Sequence, residues 1–300
     1  MTETTSGQAL YQWRQWAIDL ALANGIDLEE IDWFLQSVTS LSTLSLNLDL
    51  YRSEFEIPLE LPLTHLTEKW QQRVTNRTPV QYLIGETPWR NFAIAVSPHV
   101  LIPRPETELI IDIAQKLAAE SPCSNQIMSG HWADLGSGSG AIALGLAHQF
   151  NNATIHAVDI SEKALEIVRL NAKKNRLADR ITCHQGSWLT PLTHLQGQLS
   201  AIVANPPYIP TQIIPTLQPE VAQHEPHLAL DGGPDGLHSI RTLITTSQAY
   251  LHTGGLWLIE LMQGQAPSVV DLLTQHHYEN IAIHLDLSGI QRFVSARKAL

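Results

Sequence analysis

The sequence predicts an α/β protein in which a doubly wound, mostly parallel sheet follows a small helical module. Residues 8 to about 77 show the apolar spacing of helices, and short β-type runs broken by prolines follow from Pro79. Beyond residue 105, apolar runs alternate with helical patterns, which is typical of βαβ units with helices on both faces of a parallel sheet. We therefore divide the chain into a helical domain at 1–78, a β-hairpin linker at 79–104 and an α/β domain at 105–300.

Local signals place the helices of the first domain. The segment "ALYQWRQWAIDLALANG" ends at Gly25, a typical C-cap, and "DLEEIDWFL" begins with Asp27 as N-cap and Glu30 three places on. The segment "LTHLTEKWQQRV" has apolar residues at spacings of three and four, which predicts one buried helix face. The residues on that face are Leu63, Leu66, Trp70 and Val74.

Strand-like apolar runs recur through the α/β domain. They are "HWADLG", "TIHAVDI", "RITCHQG", "LSAIVAN", "GGLWLIEL", "IAIHLDL" and "QRFVSAR", with helical patterns between them, including one near residues 266 to 276. In an open α/β sheet, ligands bind beyond the carboxyl ends of the parallel strands. We therefore look for a site where these runs end.

The composition describes a folded chain with an acidic surface. Its 300 residues are 44% hydrophobic, enough for a core, and the formal net charge is -11. An acidic surface repels a phosphate backbone, so we expect no stable nucleic-acid binding. Cys123 and Cys183 form no C-x-x-C pair, and neither a signal-peptide pattern nor a run of about eighteen apolar residues is present. We therefore expect a cytoplasmic protein without membrane spans.

A glycine-rich turn follows the first run of the α/β domain, in "ADLGSGSGAIAL". Glycines there let the backbone approach a ligand closely, which predicts a nucleotide-like cofactor. Asp159 ends the next run, where its carboxylate could accept hydrogen bonds from two ribose hydroxyls. The same glycines satisfy the loose dinucleotide pattern, so these two features leave a nicotinamide-dependent dehydrogenase and an S-adenosylmethionine-dependent methyltransferase both open.

The run "LSAIVA" ends at Asn205-Pro206-Pro207-Tyr208. The prolines fix φ, remove two N–H donors and hold Asn205 towards an extended conformation, which leaves oxygen atoms as the available polar groups. The Asn205 side-chain oxygen and a neighbouring carbonyl suit a planar NH2 group, and Tyr208 offers a flat ring face. Such a clamp has a use in methylating an amide or an exocyclic amine, but none in hydride transfer. The alternative is a tight turn without function, because Asn and Pro are ordinary turn formers.

The stretches "DLGSGSGAIAL", "AVDIS" and "NPPYIP" together resemble a class I S-adenosylmethionine-dependent methyltransferase that modifies planar nitrogens, a group with a seven-stranded Rossmann-like sheet. Three further stretches resemble the peptide chain release factor N5-glutamine methyltransferase family (PrmC/HemK). They are "TPVQYLIGETPWRNFAIAVSPHVLIPRPETELI", "HEPHLALDGGPDGL" and "DLSGIQRFVSAR". With the helical domain, the resemblance covers essentially the whole chain.

The resemblance implies a function and a site. Members of that family methylate the side-chain amide nitrogen of the glutamine in the Gly-Gly-Gln motif of class I release factors, which supports translation termination. It implies that residues 1–78 recognise the substrate, that Asn205, Pro206 and Tyr208 are catalytic, and that these three and Pro207 bind the substrate. The implied residues for S-adenosyl-L-methionine are Gly136, Ser137, Gly138, Ser139, Gly140, Asp159, Trp188 and Asn205. The family often has an acid just before this tryptophan, whereas this chain has Ser187.

Other functions remain as alternatives. A DNA adenine or rRNA guanine N-methyltransferase would clamp a flipped base amine with the same four residues, but it usually carries a basic surface or a recognition domain. A cofactor-binding module without catalysis and a dehydrogenase are further alternatives. We expect no bound metal, because the pairs His224/His227 and His276/His277 lack a ligand framework. We also expect a monomer.

The stretch "RPETE" at the junction of the predicted domains has two interpretations of equal weight. Arg104, Glu106 and Glu108 either order the entrance of the cofactor site or belong to a proline-rich linker followed by a helix N-terminus with favourable acids. We leave them out of the predicted site.

Overall fold

The computed structural model describes residues 3–299 of the 300-residue chain. Eleven strands are present in these residues. They are β1 (Glu3–Thr5), β2 (Ile57–Leu59), β3 (Glu86–Trp89), β4 (Phe92–Ala95), β5 (His131–Leu135), β6 (Thr154–Asp159), β7 (Ile181–Gln185), β8 (Leu199–Ala204), β9 (Leu251–Glu260), β10 (Tyr278–Leu285) and β11 (Gln291–Lys298).

The described residues also form twelve α-helices, joined in places by short 3-10 helices. They are α1 (Gly7–Asn24), α2 (Glu29–Val38), α3 (Thr43–Asn47), α4 (Leu63–Thr75), α5 (Val80–Ile84), α6 (Leu109–Ala119), α7 (Ser124–Ser129), α8 (Ala141–Gln149), α9 (Glu162–Lys174), α10 (Pro219–His224), α11 (His238–Ser247) and α12 (Ala266–Gln275). Within residues 3–299, no helix combines the length and the apolar character that crossing a membrane requires.

A seven-stranded sheet organises the α/β part of the chain, in the order β10-β11-β9-β8-β5-β6-β7. Strands β5 to β9 pair in parallel, whereas β11 runs antiparallel to both β9 and β10. All six residues of β8 are buried, as expected for a central strand covered on both faces. The predicted doubly wound sheet of seven strands is confirmed.

The strand register brings three chain segments to one edge of this sheet. Leu135 at the end of β5 pairs with Val158 on β6 and with Ala204 at the end of β8. Parallel strands end on the same side, so the glycine turn, Asp159 and Asn205 all leave the sheet at its carboxyl edge. The core beneath them includes Val158, Ile202 and Trp257.

The chain divides into two compact units. The first runs to Gly85 and includes α10, although α10 follows the N-P-P-Y segment in sequence. Its aromatic core contains Phe34 stacked on Trp70 with ring centroids 5.9 Å apart. The buried Arg73 on α4 binds Glu30 on α2 and also donates a 2.9 Å hydrogen bond to Glu220 on α10. These charge-assisted bonds hold α10 within the first unit.

Details of the first unit differ from the sequence prediction. Helix α1 ends at a left-handed Gly25 as predicted, but α2 begins at Glu29 with Leu28 at its cap position. Asp27 is therefore not the N-cap residue, although its side chain accepts a hydrogen bond from the Glu29 N–H. The helical segment also contains an antiparallel ribbon of β1 and β2, which is too short to carry an alternating apolar pattern.

The second unit comprises Glu86–Gln218 and the chain from Glu225 onward, so it contains the predicted hairpin as β3 and β4. The buried Asn171 on α9 exchanges hydrogen bonds with the backbone of Ala95 on β4 and donates another to the Ser139 carbonyl. One amide therefore fastens both the hairpin and the glycine turn to α9. The boundaries at 78 and 104 stay predictions.

Candidate active site

A cavity of about 460 Å³ opens at the carboxyl edge of the seven-stranded sheet. Its volume lies in the range of small-molecule and cofactor sites. Five of the predicted site residues on the cofactor side line it, together with Pro207, and they come from three strand ends and one loop. These residues are Gly136, Gly138, Asp159, Trp188, Asn205 and Pro207.

The glycine turn between β5 and α8 forms one wall of the cavity. Gly136, Gly138 and Gly140 have φ of 76°, 52° and 82°, in the left-handed region that side chains rarely adopt. A Cβ on Gly138 would meet nothing within 4 Å, so open space adjoins the backbone there. Ser137 and Ser139 shape the turn, since the Ser137 carbonyl accepts from Gly140 N–H and the Ser139 carbonyl from Asn171.

Asp159 ends β6 beside this turn. Its Oδ2 accepts a 2.9 Å hydrogen bond from Gly138 N–H and its Oδ1 a 2.9 Å bond from Ser161 N–H. Burial raises the pKa of Asp159, and these backbone hydrogen bonds oppose that rise. The carboxylate has about four lone-pair sites, more than its backbone partners occupy, so it can still accept from a ligand in the cavity.

A second acid, Asp134, lies fully buried at the end of β5. Its Oδ2 accepts a hydrogen bond from Ala143 N–H on α8, whereas its Oδ1 has no partner among the described residues. Burial raises the pKa of Asp134 to about 7. Asp134 is not among the residues that line the cavity, so it fixes the start of α8 from beneath the glycine turn.

The Trp188 ring lies next to the glycine turn and lines the cavity beside it. A Cβ built on Gly136 would lie 3.4 Å from Cζ3 of the Trp188 ring. Trp188 has φ of 51°, a strained conformation for a bulky residue, and such strain is typical of functional sites. Gly186 and Ser187 line the same wall, so Trp188 and these two residues form one side of the cavity next to the glycine turn.

Asn205 belongs to a chain of side-chain hydrogen bonds behind the N-P-P-Y segment. Its Nδ2 lies 3.3 Å from Thr107 Oγ1, and Thr107 Oγ1 lies 2.6 Å from Glu260 Oε2. Tyr208 donates its hydroxyl to the other oxygen, Oε1, at 3.0 Å. Thr107 and Glu260 are buried, with 4% and 1% of their surfaces exposed. The two polar side chains of N-P-P-Y therefore converge on one carboxylate.

The N-P-P-Y backbone is held by a second loop. Ile209 N–H donates to the Leu230 carbonyl and the Ile209 carbonyl accepts from Gly232 N–H. Gln265 Nε2 donates to the Tyr208 carbonyl at 2.9 Å. Pro206 is buried, and among the described residues no hydrogen-bond donor reaches its carbonyl. The loop is thus fixed on both sides of the residues predicted to bind substrate.

Sequence reasoning missed several residues of the site. Thr107 lies within "RPETE", between two glutamates. Of the charged residues in that stretch, Arg104 forms an ion pair with Glu225 at 2.7 Å, and the Glu108 side chain accepts a hydrogen bond from the Arg90 N–H. Two cavity walls were also missed, although all their residues except His238 and Ser239 lie in stretches that carried the family resemblance. They comprise Pro98, His99, Val100 and Leu101, and Pro226, Leu228, Ala229, Asp231, His238 and Ser239.

The fold and the cavity define a methyltransferase of the Rossmann-like class, and a family model for the methyltransferase small domain matches residues 108–228. Curated relatives indicate which family of methyltransferases this chain is similar to. A release factor glutamine methyltransferase of Synechocystis is 51% identical over 97% of this chain and 97% of its own. One from Thermosynechococcus vestitus is 48% identical, covering 97% and 99%. The chain belongs to the release factor glutamine methyltransferase family.

Solved structures support the fold alone. The catalytic domain of hMettl16, in complex with a MAT2A 3′UTR hairpin, covers 88% of this chain and 88% of its own with a TM-score of 0.56 and 12% identity. A methyltransferase from Pyrococcus furiosus covers 70% and 91% with a TM-score of 0.50 and 16% identity. At these identities the likeness says nothing about the substrate.

Proposed function

We propose that this chain methylates the side-chain amide nitrogen of the glutamine in the Gly-Gly-Gln motif of class I peptide chain release factors, with S-adenosyl-L-methionine as methyl donor. The observation that carries the proposal is the position of Asn205 on the cavity that the glycine turn also lines, in a chain related along its length to release factor glutamine methyltransferases. Modification of this glutamine would support translation termination.

The residues of the cavity fit this cofactor. The open space at Gly138 and the remaining lone pairs of Asp159 supply what a polar nucleoside with an amino acid tail requires. Asp159 would accept from the ribose hydroxyls, the turn from Gly136 to Gly140 would line the methionine and ribose, and Trp188 would flank the adenine. When bound, the cofactor supplies an electrophilic methyl group. Ser187 provides a hydroxyl where the family often has an acid.

The N-P-P-Y residues would hold the substrate amide. Asn205 Oδ1 and the Pro206 carbonyl accept from the two amide N–H bonds, while Pro207 and the Tyr208 ring pack beside the planar group. Fixing both N–H bonds directs the nitrogen lone pair towards the methyl group, and orientation of this kind contributes several kcal/mol, about 7 in favourable cases. The methylated nitrogen loses its proton to water, so no side chain is required as general base.

The remaining features of the protein follow from this assignment. We propose that residues 1–78 recognise parts of the release factor outside its Gly-Gly-Gln loop, with 79–104 as linker and 105–300 as catalytic domain. A cytoplasmic monomer that does not bind nucleic acid stably agrees with the net charge of -11. A basic patch on the partner would complement this surface.

The test is incubation of the protein with labelled S-adenosylmethionine and a purified release factor, followed by mass mapping of the Gly-Gly-Gln peptide. We expect one methyl group on the glutamine. A release factor with alanine at that position serves as control and should stay unlabelled. Duplex DNA and rRNA form a parallel arm, in which an N-methyltransferase acting on bases would give label. Label in nucleic acid with an unmodified peptide would overturn the proposal.

A further inference from the structure

The hydroxyl of Thr107 can donate only one hydrogen bond, and the structure shows where that bond goes. Glu260 as a carboxylate only accepts, so at 2.6 Å the Thr107 hydroxyl donates to Glu260 Oε2. The Thr107 oxygen is then left with lone pairs towards Asn205, 3.3 Å away. Only the NH2 end of the Asn205 amide can donate to them. The direction of both hydrogen bonds is therefore set by Glu260.

This direction decides which end of the Asn205 amide faces the cavity. With Nδ2 turned towards Thr107, Oδ1 points away from Thr107, on the other side of the Cβ–Cγ bond axis within the amide plane. Within residues 3–299, no protein group donates a hydrogen bond to Oδ1, and Asn205 lines the cavity. An unpinned amide could rotate by half a turn, because its two ends have nearly the same shape. Rotation would replace the acceptor by a donor.

Hydrogen bonds and a nearby cation favour the charged form of Glu260 against the effect of its burial. Its other oxygen accepts from the Tyr208 hydroxyl at 3.0 Å, so both oxygens are occupied by donors. Burial raises the pKa of Glu260, while the hydrogen bonds from Thr107 and Tyr208 and the charge of Arg292 oppose that rise. Glu106 is the acidic neighbour that favours protonation.

We propose that Thr107 and Glu260 are positioning residues that hold the Asn205 amide with its oxygen towards the substrate. This inference rests on the proposed function, since it concerns the acceptor for the glutamine NH2. A flipped Asn205 would point a donor at a donor. The two residues therefore act on the methyl-transfer step through Asn205 and do not contact the substrate.

The experiment compares Thr107→Val, Thr107→Ser and Glu260→Gln, with initial rates on a Gly-Gly-Gln release factor and affinity for S-adenosylhomocysteine by calorimetry. Valine keeps the shape of threonine but lacks the hydroxyl, and we expect kcat to fall about 10-fold to 100-fold. Glutamine mimics a protonated acid with a donor on one side, so Glu260→Gln should lower kcat similarly. Thr107→Ser restores the hydroxyl and should keep kcat within about threefold of wild type. Affinity for S-adenosylhomocysteine should change less than about twofold in all three.

Thr87→Val is the matched control, since Thr87 is buried to a similar degree, at 6% exposed, on β3. This variant should keep the wild-type kcat. It would show that the loss of kcat in Thr107→Val comes from the Thr107 hydroxyl and not from the removal of any buried hydroxyl. The double variant Thr107→Val with Glu260→Gln should be no slower than the slower single variant, because both interrupt one chain. Unchanged kcat in Thr107→Val or Glu260→Gln would overturn the inference, and so would a Thr107→Ser variant as slow as Thr107→Val. If wild-type protein itself leaves the glutamine unmodified, the proposed function fails instead.

Discussion

The two ends of the cavity are built in opposite ways. The cofactor end relies largely on backbone groups: the Asp159 carboxylate accepts from the N–H groups of Gly138, 21 positions away, and Ser161, 2 positions away. The substrate end consists of side chains brought together from far apart. Asn205 is hydrogen-bonded to Thr107, 98 positions away in sequence, and Thr107 to Glu260, 153 positions away.

This difference sets how each end responds to substitution. A backbone turn keeps its N–H groups whatever its neighbours are, provided that each left-handed position stays glycine. A chain of side-chain hydrogen bonds loses its direction when one member changes, because every buried donor needs its acceptor. We therefore expect substitutions at the cofactor end to lower affinity, and substitutions at the substrate end to lower turnover.

The largest effect is expected for Asn205→Ala, which removes an acceptor for the substrate amide. Loss of one oriented hydrogen-bonding group in an active site lowers kcat by about 100-fold to 1000-fold. Because Asn205 also lines the cofactor cavity, affinity for S-adenosylhomocysteine should fall by a smaller factor. Single-turnover rates and calorimetry measure the two quantities. Equal losses in both would show that Asn205 serves the cofactor alone and would remove the contrast between the two ends.

A smaller effect, on binding, is expected for Asp159→Ala. It removes the acceptor predicted for two ribose hydroxyls, and charge-assisted hydrogen bonds of about 1.5 to 3 kcal/mol suggest a loss of affinity of roughly 100-fold. The variant also frees the N–H groups of Gly138 and Ser161. Asp159→Asn is the control, since it keeps one acceptor oxygen and should lose less. Turnover at saturating cofactor should stay close to wild type; a collapse of kcat in Asp159→Asn would contradict the prediction.

The same difference explains what the sequence could predict. The glycine turn, Asp159 and the N-P-P-Y segment are short local patterns. The alternation of apolar runs and helices predicted a doubly wound sheet, and the family resemblance implied its seven strands. The all-buried β8 was visible as a continuous apolar run. Asp27 was one position from the true cap because helix ends depend on the cap geometry of the chain and not on residue type alone.

Long-range partners could not be predicted in this way. Nothing near Glu260 in "GGLWLIEL" marks it as different from an acid that ends a strand, and Thr107 lies between two more conspicuous glutamates. Glu260 comes close to the N-P-P-Y segment because the sheet order puts the end of β9 next to the end of β8. Pairing across 153 positions is a property of the fold. The residue roles proposed for the site stay predictions until the variants are measured.

The strands beneath the cofactor end carry a long-range side-chain network of their own, made of histidines. His131 Nδ1 lies 3.0 Å from His156 Nε2, and His156 Nδ1 lies 3.0 Å from His184 Nε2, across β5, β6 and β7. None of these three lines the cavity among the described residues. If long-range networks matter for turnover only where they reach the substrate, this one should affect stability alone.

The smallest effect is therefore expected from His156, as a change in the free energy of unfolding with pH. Burial and then the neighbouring His184, His131 and His194 lower the pKa of His156 from 6.5 to about 4. Below pH 6.5 the unfolded chain binds a proton that the folded chain refuses, so this contribution to stability is lost as the pH falls from 6.5 towards 4. Between pH 7.5 and 5 the loss in the free energy of unfolding is about 2 kcal/mol.

Urea unfolding at both pH values should show this loss in wild type and a smaller loss in His156→Gln, whose side chain does not titrate. His65→Gln, at an exposed position, should leave the pH dependence as in wild type. At pH 7.5 and saturating cofactor, His156→Gln should keep kcat; a loss like that of Asn205→Ala would mean that this network, too, reaches the reaction.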